Sequence, residues 1–256
     1  MTARTGPQRY PGADTTRWYQ TRYGGEAMES NVIVWHTTEG RTLPDYGGGS
    51  SAPNFTARPN FTAKRLEWFQ HFDFDVSSRA LVNAAGGVAT NTLNVCQVEI
   101  VGTCDPATHT KWATTPHLYT PELPDWAVRD LAAFARWAHE QHRVPLTSGV
   151  TFKPYPSSYG ANGVRMTAAK WNSFTGHCGH QHVPENLHGD PGAFPMAAIL
   201  AAAAPVTYTV GRGDTLWSIA ASKLGDGNRW QEIAKLNALK WPDDLTPGQI
   251  LKLPKK

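Results

Sequence analysis

Apolar positions along the chain change period several times, and each change marks an element. Val32-Ile33-Val34-Trp35 is an unbroken, largely β-branched apolar run, which predicts a buried strand, and His36 stands where that strand runs out. Runs bounded by turn residues predict further strands at Trp68 to Val76, Ala80 to Asn83 and Val95 to Val101. The period then lengthens. Val128, Leu131, Ala132, Ala135 and Ala138 fall at offsets 0, 3, 4, 7 and 10, one face of a helix from Trp126 to His142 that should cover the sheet, with Asp125 as its N-cap. A second helix is expected over Thr167 to Ser173, and a packed surface helix with a linker between Phe194 and Val206. Residues 1–30 show no period and predict an irregular arm. Gly47 to Ala63, rich in Gly, Ser, Pro and Asn, predicts a long surface loop. Residues 207–253 read strand, helix, helix, strand: Tyr208-Thr209-Val210, a turn at Gly211 to Asp214, helices Thr215 to Leu224 and Trp230 to Asn237, and Ile250 to Leu253.

The pattern divides the 256 residues into a large module, 1–198, an Ala/Pro linker, 199–206, and a small module, 207–254. No stretch reaches the roughly 20 apolar residues of a membrane helix, so stable membrane insertion is not expected. The net charge of +3 is carried unevenly: Lys plus Arg against Asp plus Glu is 16 to 16 over residues 1–206 and 8 to 5 over 207–256. A mildly basic small module suits a polyanionic surface or a solvated face equally. No Lys/Arg cluster points to nucleic acid. Three cysteines, Cys96, Cys104 and Cys178, cannot form a complete disulfide framework and suit a protein made in a reducing compartment.

The chemistry is concentrated between Gly179 and Gly192, where His180, His182, His188 and Asp190 fall within eleven residues. Neutral imidazole and carboxylate are ligands that Zn²⁺ takes at about 2.0–2.2 Å, and a catalytic zinc keeps three protein ligands and one open position. His36, at its strand end, offers the distant ligand. His180 and His182 alternate, so in an extended segment they face opposite sides and cannot easily share one ion. His177, His182 and His188 compete for the role; Pro191 and Gly192 favour a turn that swings Asp190 back toward His180.

Two resemblances give these residues a context. Tyr208-Thr209-Val210, Gly213-Asp214-Thr215-Leu216-Trp217-Ser218-Ile219-Ala220, Glu232-Ile233, Leu236-Asn237 and Leu245-Thr246-Pro247-Gly248-Gln249-Ile250-Leu251-Lys252-Leu253-Pro254 resemble the LysM domain throughout its length. That resemblance implies a small α+β (βααβ) fold that binds N-acetylglucosamine-containing glycan. The glycan contacts it implies are Gly213, Asp214, Thr215 and Leu216 in one loop and Asn237, Ala238 and Leu239 in another, with Trp217 expected in the core. The longer part, about residues 30–195, resembles type 2 N-acetylmuramoyl-L-alanine amidases, and endolysins among them, through Trp35-His36-Thr37-Thr38-Glu39-Gly40, His71-Phe72 opening a strand, Val98-Glu99-Ile100-Val101, Gly179-His180 and Asp190-Pro191-Gly192. The fold implied is α/β, a mixed sheet flanked by helices. The implied zinc ligands are His36, His180 and Asp190. Glu99 is implied as general base, with Glu39 its rival, and His188 as a donor to the developing oxyanion. His182 departs from the family, which commonly has aspartate there.

Together these features predict a monomeric peptidoglycan hydrolase that cuts the amide between N-acetylmuramic acid and L-alanine and binds both glycan and stem peptide. Its rivals are a non-catalytic peptidoglycan recognition protein, a zinc peptidase cutting within the stem peptide, and a bacterial autolysin. The first seven residues have no apolar run, so the expectation is a phage protein made in the host cytoplasm without a signal peptide, reaching the wall after the membrane is permeabilised.

Overall fold

The computed structural model describes residues 6–240 and 245–254. The first five residues of the expected arm and residues 241–244 of the small module lie outside them. The chain divides into two compact units, Met1–Ala203 and Ala204–Lys256.

The first unit is built on a five-stranded mixed sheet, β1 (Val32–Thr37), β2 (Phe55–Asn60), β3 (Arg65–Gln70), β4 (Val95–Ile100) and β5 (Gly176–Gly179), in the order β3-β2-β4-β1-β5. β1 pairs in parallel with β4 and β5, and β4 with β2, while β3 runs antiparallel to β2. β1 is buried along its whole length, as a two-sided apolar run requires. One sheet face, with Ile33, Trp35, Phe55, Cys96 and Val98, packs under the helix Asp125–His142 and the helix Met196–Ala203. The other, with Val32, Val34, Val95 and Cys178, packs against Met166, Trp171 and Phe174. Strand alternation places His36, Thr56 and Glu99 on this second face, His36 and Glu99 near the carboxyl ends of the parallel strands β1 and β4 and Thr56 at the start of β2 beside them. The fold is mixed α/β, as expected.

Several expectations are corrected. The segment 47–63 is not all loop: it contains β2, where Phe55 and Ala57 point into the core. Pro59 is tolerated there because the β4 partner ends at Ala57, so no ladder bond on that side needs its missing N–H. β3 stops at Gln70 rather than running to Val76, because its partner strand begins opposite it at Phe55. Ala80 to Asn83 forms no strand; the Asn91 side chain instead accepts from Leu81 N–H, and Thr90 Oγ1 donates to Val82 O at 2.7 Å. Asp125 is the first residue of its helix rather than the cap, since Pro124 takes the cap position and its carbonyl accepts from Ala127 and Val128 N–H. Residues 199–203 are not linker: they complete the helix Met196–Ala203, with Ile199 and Ala203 buried and Arg136 donating to the carbonyls of Ala202 and Ala203.

The second unit pairs β6 (Val206–Thr209) antiparallel with β7 (Ile250–Leu253) and packs the helices Leu216–Leu224 and Trp230–Leu236 on them, burying Leu216, Ile219, Ala220, Ile233 and Leu251. Thr215 closes a capping box with Ser218, which starts the first of these helices at Leu216. Among the described residues, no helix is long and apolar enough to cross a membrane.

Candidate metal centre

β1 delivers His36 near its carboxyl end, and a single turn after β5, His180–His182, opens with His180. Because β1 and β5 are neighbours with Trp35 opposite Gly179, two histidines far apart in sequence come side by side. Asp190 returns on the following loop, held by Gln181 N–H donating to its carbonyl at 3.0 Å and by Thr37 N–H donating to Oδ2 at 3.2 Å. The return needs glycine at 179, where a Cβ would lie 2.5 Å from Pro191 Cδ.

The three side chains converge. His36 Nδ1 lies 3.0 Å from His180 Nδ1 and 3.5 Å from Asp190 Oδ2, and His180 Nδ1 lies 3.3 Å from Asp190 Oδ1. All three are buried, with their donor atoms within 4.8 Å of one another. Tetrahedral zinc with bonds of about 2.0–2.1 Å separates its ligand atoms by roughly 3.3–3.4 Å, close to these edges. Hydrogen bonding prepares the lone pair of His180. Asn186 Nδ2 donates to Pro184 O, which turns Asn186 Oδ1 to accept from His180 Nε2–H at 3.1 Å and leaves His180 Nδ1 bare in the neutral ring. Burial, with His180 adding, lowers the His36 pKa to about 4 against the pull of Asp190, so the His36 ring is neutral near pH 7. Burial alone would raise the Asp190 carboxyl, but His180 and His36 outweigh it and hold it below the usual carboxylate range. The donor set therefore fits a divalent transition metal.

A cleft of about 890 Å³ opens over the cluster, lined among others by Tyr46, Glu99, His180, His188 and Asp190. Glu99 sits opposite His36 in the β1–β4 register, and its Oε2 is buried without a hydrogen-bond partner. Burial drives its pKa well above the ordinary value, and Asp190 and Glu39 add to the shift. Glu39 is differently placed. Its Oε1 accepts from Thr37 Oγ1 at 2.5 Å and from Cys104 N–H at 3.0 Å, and its Oε2 accepts from Thr103 Oγ1, so it is spent on joining two loops. His188 stacks on His180 with centroids 4.6 Å apart, its Nδ1 3.8 Å from Asp190 Oδ1, and its side chain is otherwise open to the cleft. Burial and His180 lower its pKa. Arg165 fixes this loop by donating to the carbonyls of Gly160, Val183 and His188. Asn186 and Arg165 were not singled out in the sequence, because each acts through partners that only the fold supplies.

Three further histidines act within the fold rather than at the cluster. His182 Nε2–H donates to Thr151 O at 2.9 Å and its Nδ1 accepts from Gly179 N–H, which removes it from the ligand set. His177 Nδ1 accepts from Trp35 Nε1–H, and His71, which follows β3 rather than opening a strand, joins Thr56 Oγ1 to Arg17 O. Burial lowers His71 and His182 to about 4 and His177 to about 3. The unfolded chain binds these protons near pH 6.5 while the fold excludes them, so stability is full above that pH and falls as pH drops toward 4. Calorimetry of the protein between pH 7 and pH 5 should show a loss of a few kcal/mol and a Tm lower by on the order of 10 °C; a Tm unchanged across that window would remove the explanation.

In the second unit, Leu216 is corrected as a glycan contact: its side chain is in the core. Asp214 Oδ2 accepts from Gly211 N–H and Tyr208 O–H, both at 2.7 Å, and Thr215 Oγ1 accepts from Ser218 N–H. Asn237 Nδ2 donates to Ile233 O and Lys252 O while its Oδ1 accepts from Lys252 N–H. Leu239 is half-buried against the core. Gly213 and Ala238 hold positive φ, at 85° and 51°. Trp217, expected in the core, is 58% exposed.

A family model for the LysM domain matches residues 208–254. Over 62 residues the chain is 40% identical to the uncharacterized protein YqbP of Bacillus subtilis (strain 168), covering 20% of this chain and 28% of that protein. Over 51 residues it is 41% identical to the potassium binding protein Kbp of Escherichia coli O6:H1, covering 19% of this chain and 34% of that protein. The chain thus spans about a third or less of the curated relatives it matches. Among solved structures, a point mutant of PlyL aligns with a TM-score of 0.35 and 10% identity, over 52% of this chain and 77% of that one.

Proposed function

We propose that the first unit is a zinc-dependent peptidoglycan hydrolase cutting the amide between N-acetylmuramic acid and L-alanine, and that the LysM domain holds the wall glycan. The observation that carries this reading is the convergence of buried His36, His180 and Asp190 at a cleft lined by His180, Asp190 and Glu99, whose Oε2 is buried without a hydrogen-bond partner. The amide as the bond cut, and the wall as the substrate, follow from the amidase and LysM resemblances of the sequence.

His36 Nδ1, His180 Nδ1 and an Asp190 carboxylate oxygen would hold the ion. Zinc bound there supplies Lewis acidity, lowering the pKa of a water from about 15.7 to about 7 and polarising the scissile carbonyl. Glu99 Oε2 accepts the proton of the attacking water and returns it to the departing L-alanine nitrogen. Its raised pKa moves it toward the operating pH, where a proton shuttle is most efficient. His188, on the rim of the same cleft, donates an N–H toward the carbonyl oxygen as negative charge develops there. Thr37, Thr103 and Cys104, gathered by Glu39, fix the loop that meets Asp190. Tethering raises the local concentration of an insoluble substrate around the cleft, which is the use of the second unit. The site of action proposed is the bacterial wall, reached through a membrane lesion.

The deciding experiment is mass spectrometry of purified walls digested with and without a chelator. New amino termini belonging to L-alanine, lost on chelation and restored by zinc, are expected. New termini at inner stem-peptide residues would make the protein a peptidase, and no new termini at all would make it a recognition protein. Asn186→Ala removes the acceptor that fixes the His180 tautomer, so zinc affinity should fall about 10- to 100-fold in a competition titration.

A further inference from the structure

The side chains on the two LysM loops where glycan contact is expected are largely engaged within the fold, through the core position of Leu216 and the hydrogen bonds of Asp214, Thr215 and Asn237. The residue that follows them is the exception. Trp217, in the first turn of the helix Leu216–Leu224, is more than half exposed, although tryptophan is a highly buried residue on average. Its ring is nevertheless fixed. A Cβ placed on Gly227 would fall 2.3 Å from Trp217 Cε2, 2.5 Å from Nε1 and 2.7 Å from Cδ2, so the glycine α-carbon lies against the middle of the indole. Gly227 is itself buried.

A flat aromatic surface packed on a glycine and open to water suits a ligand with an apolar C–H face and a polar rim. A pyranose ring, with its C–H groups on one face and hydroxyls around its rim, has that character. We propose that Trp217 is a stacking platform for one N-acetylhexosamine ring of the wall glycan, adding a contact beyond the two loops. This rests on the glycan-binding reading of the LysM domain. Trp217 and Gly227 act as a pair: the glycine leaves room for the indole to lie flat, and the indole, pinned in one place, loses little conformational freedom when a sugar settles on it. The exposed aliphatic side chains of the unit, Val206, Leu236 and Ile250, offer no comparable plane.

The test is calorimetric titration of the full chain with penta-N-acetylchitopentaose, a probe that carries no stem peptide and so does not depend on the hydrolytic cleft, with circular dichroism to verify folding. Trp217→Ala should weaken binding on the order of tenfold, Trp217→Phe should retain most of it, and Trp217→Leu, apolar but not planar, should be as weak as alanine. Gly227→Ala, which displaces the ring without removing it, should also weaken binding. Wild-type affinity in Trp217→Ala, or equal affinity of the Leu and Phe variants, would overturn the platform while leaving the domain a glycan binder. Absence of binding by the wild-type chain would instead overturn the glycan reading on which the platform rests.

Discussion

Glu99→Gln is expected to lower turnover on purified walls by about 10²- to 10⁴-fold while leaving zinc content and melting temperature near those of the parent chain. Glutamine has the shape of the acid it replaces, and Glu99 Oε2 has no hydrogen-bond partner to lose, so packing between β4 and its neighbours should survive. What disappears is a group able to take a proton and give it back. The matched control is Glu39→Gln. Glu39 accepts from Thr37, Thr103 and Cys104, and a glutamine NH₂ would face one of those donors. Its expected result is the reverse pattern: a lower melting temperature, by about 1–3 kcal/mol of stability, with turnover of the folded fraction largely kept. Steady-state release of L-alanine termini, set against thermal denaturation of the same samples, separates the two carboxylates. Should Glu39→Gln lose turnover and Glu99→Gln keep it, the proton shuttle is Glu39.

The contrast between these glutamates shows where the sequence was legible. Both stand near a strand end, and the resemblance favours Glu99 over Glu39 without a local reason; the fold supplies one, by bringing Thr103 and Cys104 to Glu39. The cluster of His36, His180 and Asp190 was more accessible, because an apolar run ending in His36 and a tight His-Asp spacing before Pro191-Gly192 are strong local signals and the amidase resemblance chose among the neighbouring histidines. The β1–β5 pairing that joins them is long-range, and β5 itself, Gly176-His177-Cys178-Gly179, has none of the composition of a strand. Gly176 is there because a Cβ would meet Thr147 O at 2.3 Å, a tertiary reason that no local pattern records. β2 was hidden likewise: Phe55 and Ala57 alternate inward, but Asn54, Thr56, Arg58, Pro59 and Asn60 around them read as a turn-rich loop. The LysM unit was legible nearly to the residue because its caps, turn and apolar periods are local, with Trp217 misplaced because apolar character alone does not say which side of a helix meets the core.

Asp190→Ala is expected to abolish the proposed zinc binding and, with it, to lower the proposed amidase activity by at least about 10³-fold. In the intact site the carboxylate faces both imidazoles, at 3.5 Å from His36 Nδ1 and 3.3 Å from His180 Nδ1. Without it two nitrogen donors remain, too few to hold a zinc ion in the three-ligand arrangement of catalytic sites. The two nitrogens, 3.0 Å apart, can then share a proton between themselves, which opposes metal return as pH falls. Thr37 N–H also loses its acceptor, so some loss of stability, about 1–3 kcal/mol, should accompany the loss of metal. Asp190→Asn keeps an oxygen for Thr37 but not the negative charge. It should restore most of the melting temperature and little of the zinc affinity, which distinguishes a ligand from a strut. Elemental analysis of dialysed protein, together with mass spectrometry of the wall digest, reads both effects. A fully active Asp190→Ala chain, free of zinc by elemental analysis, would end the metal assignment, because His36 and His180 alone could not then be supporting an ion that the reaction needs.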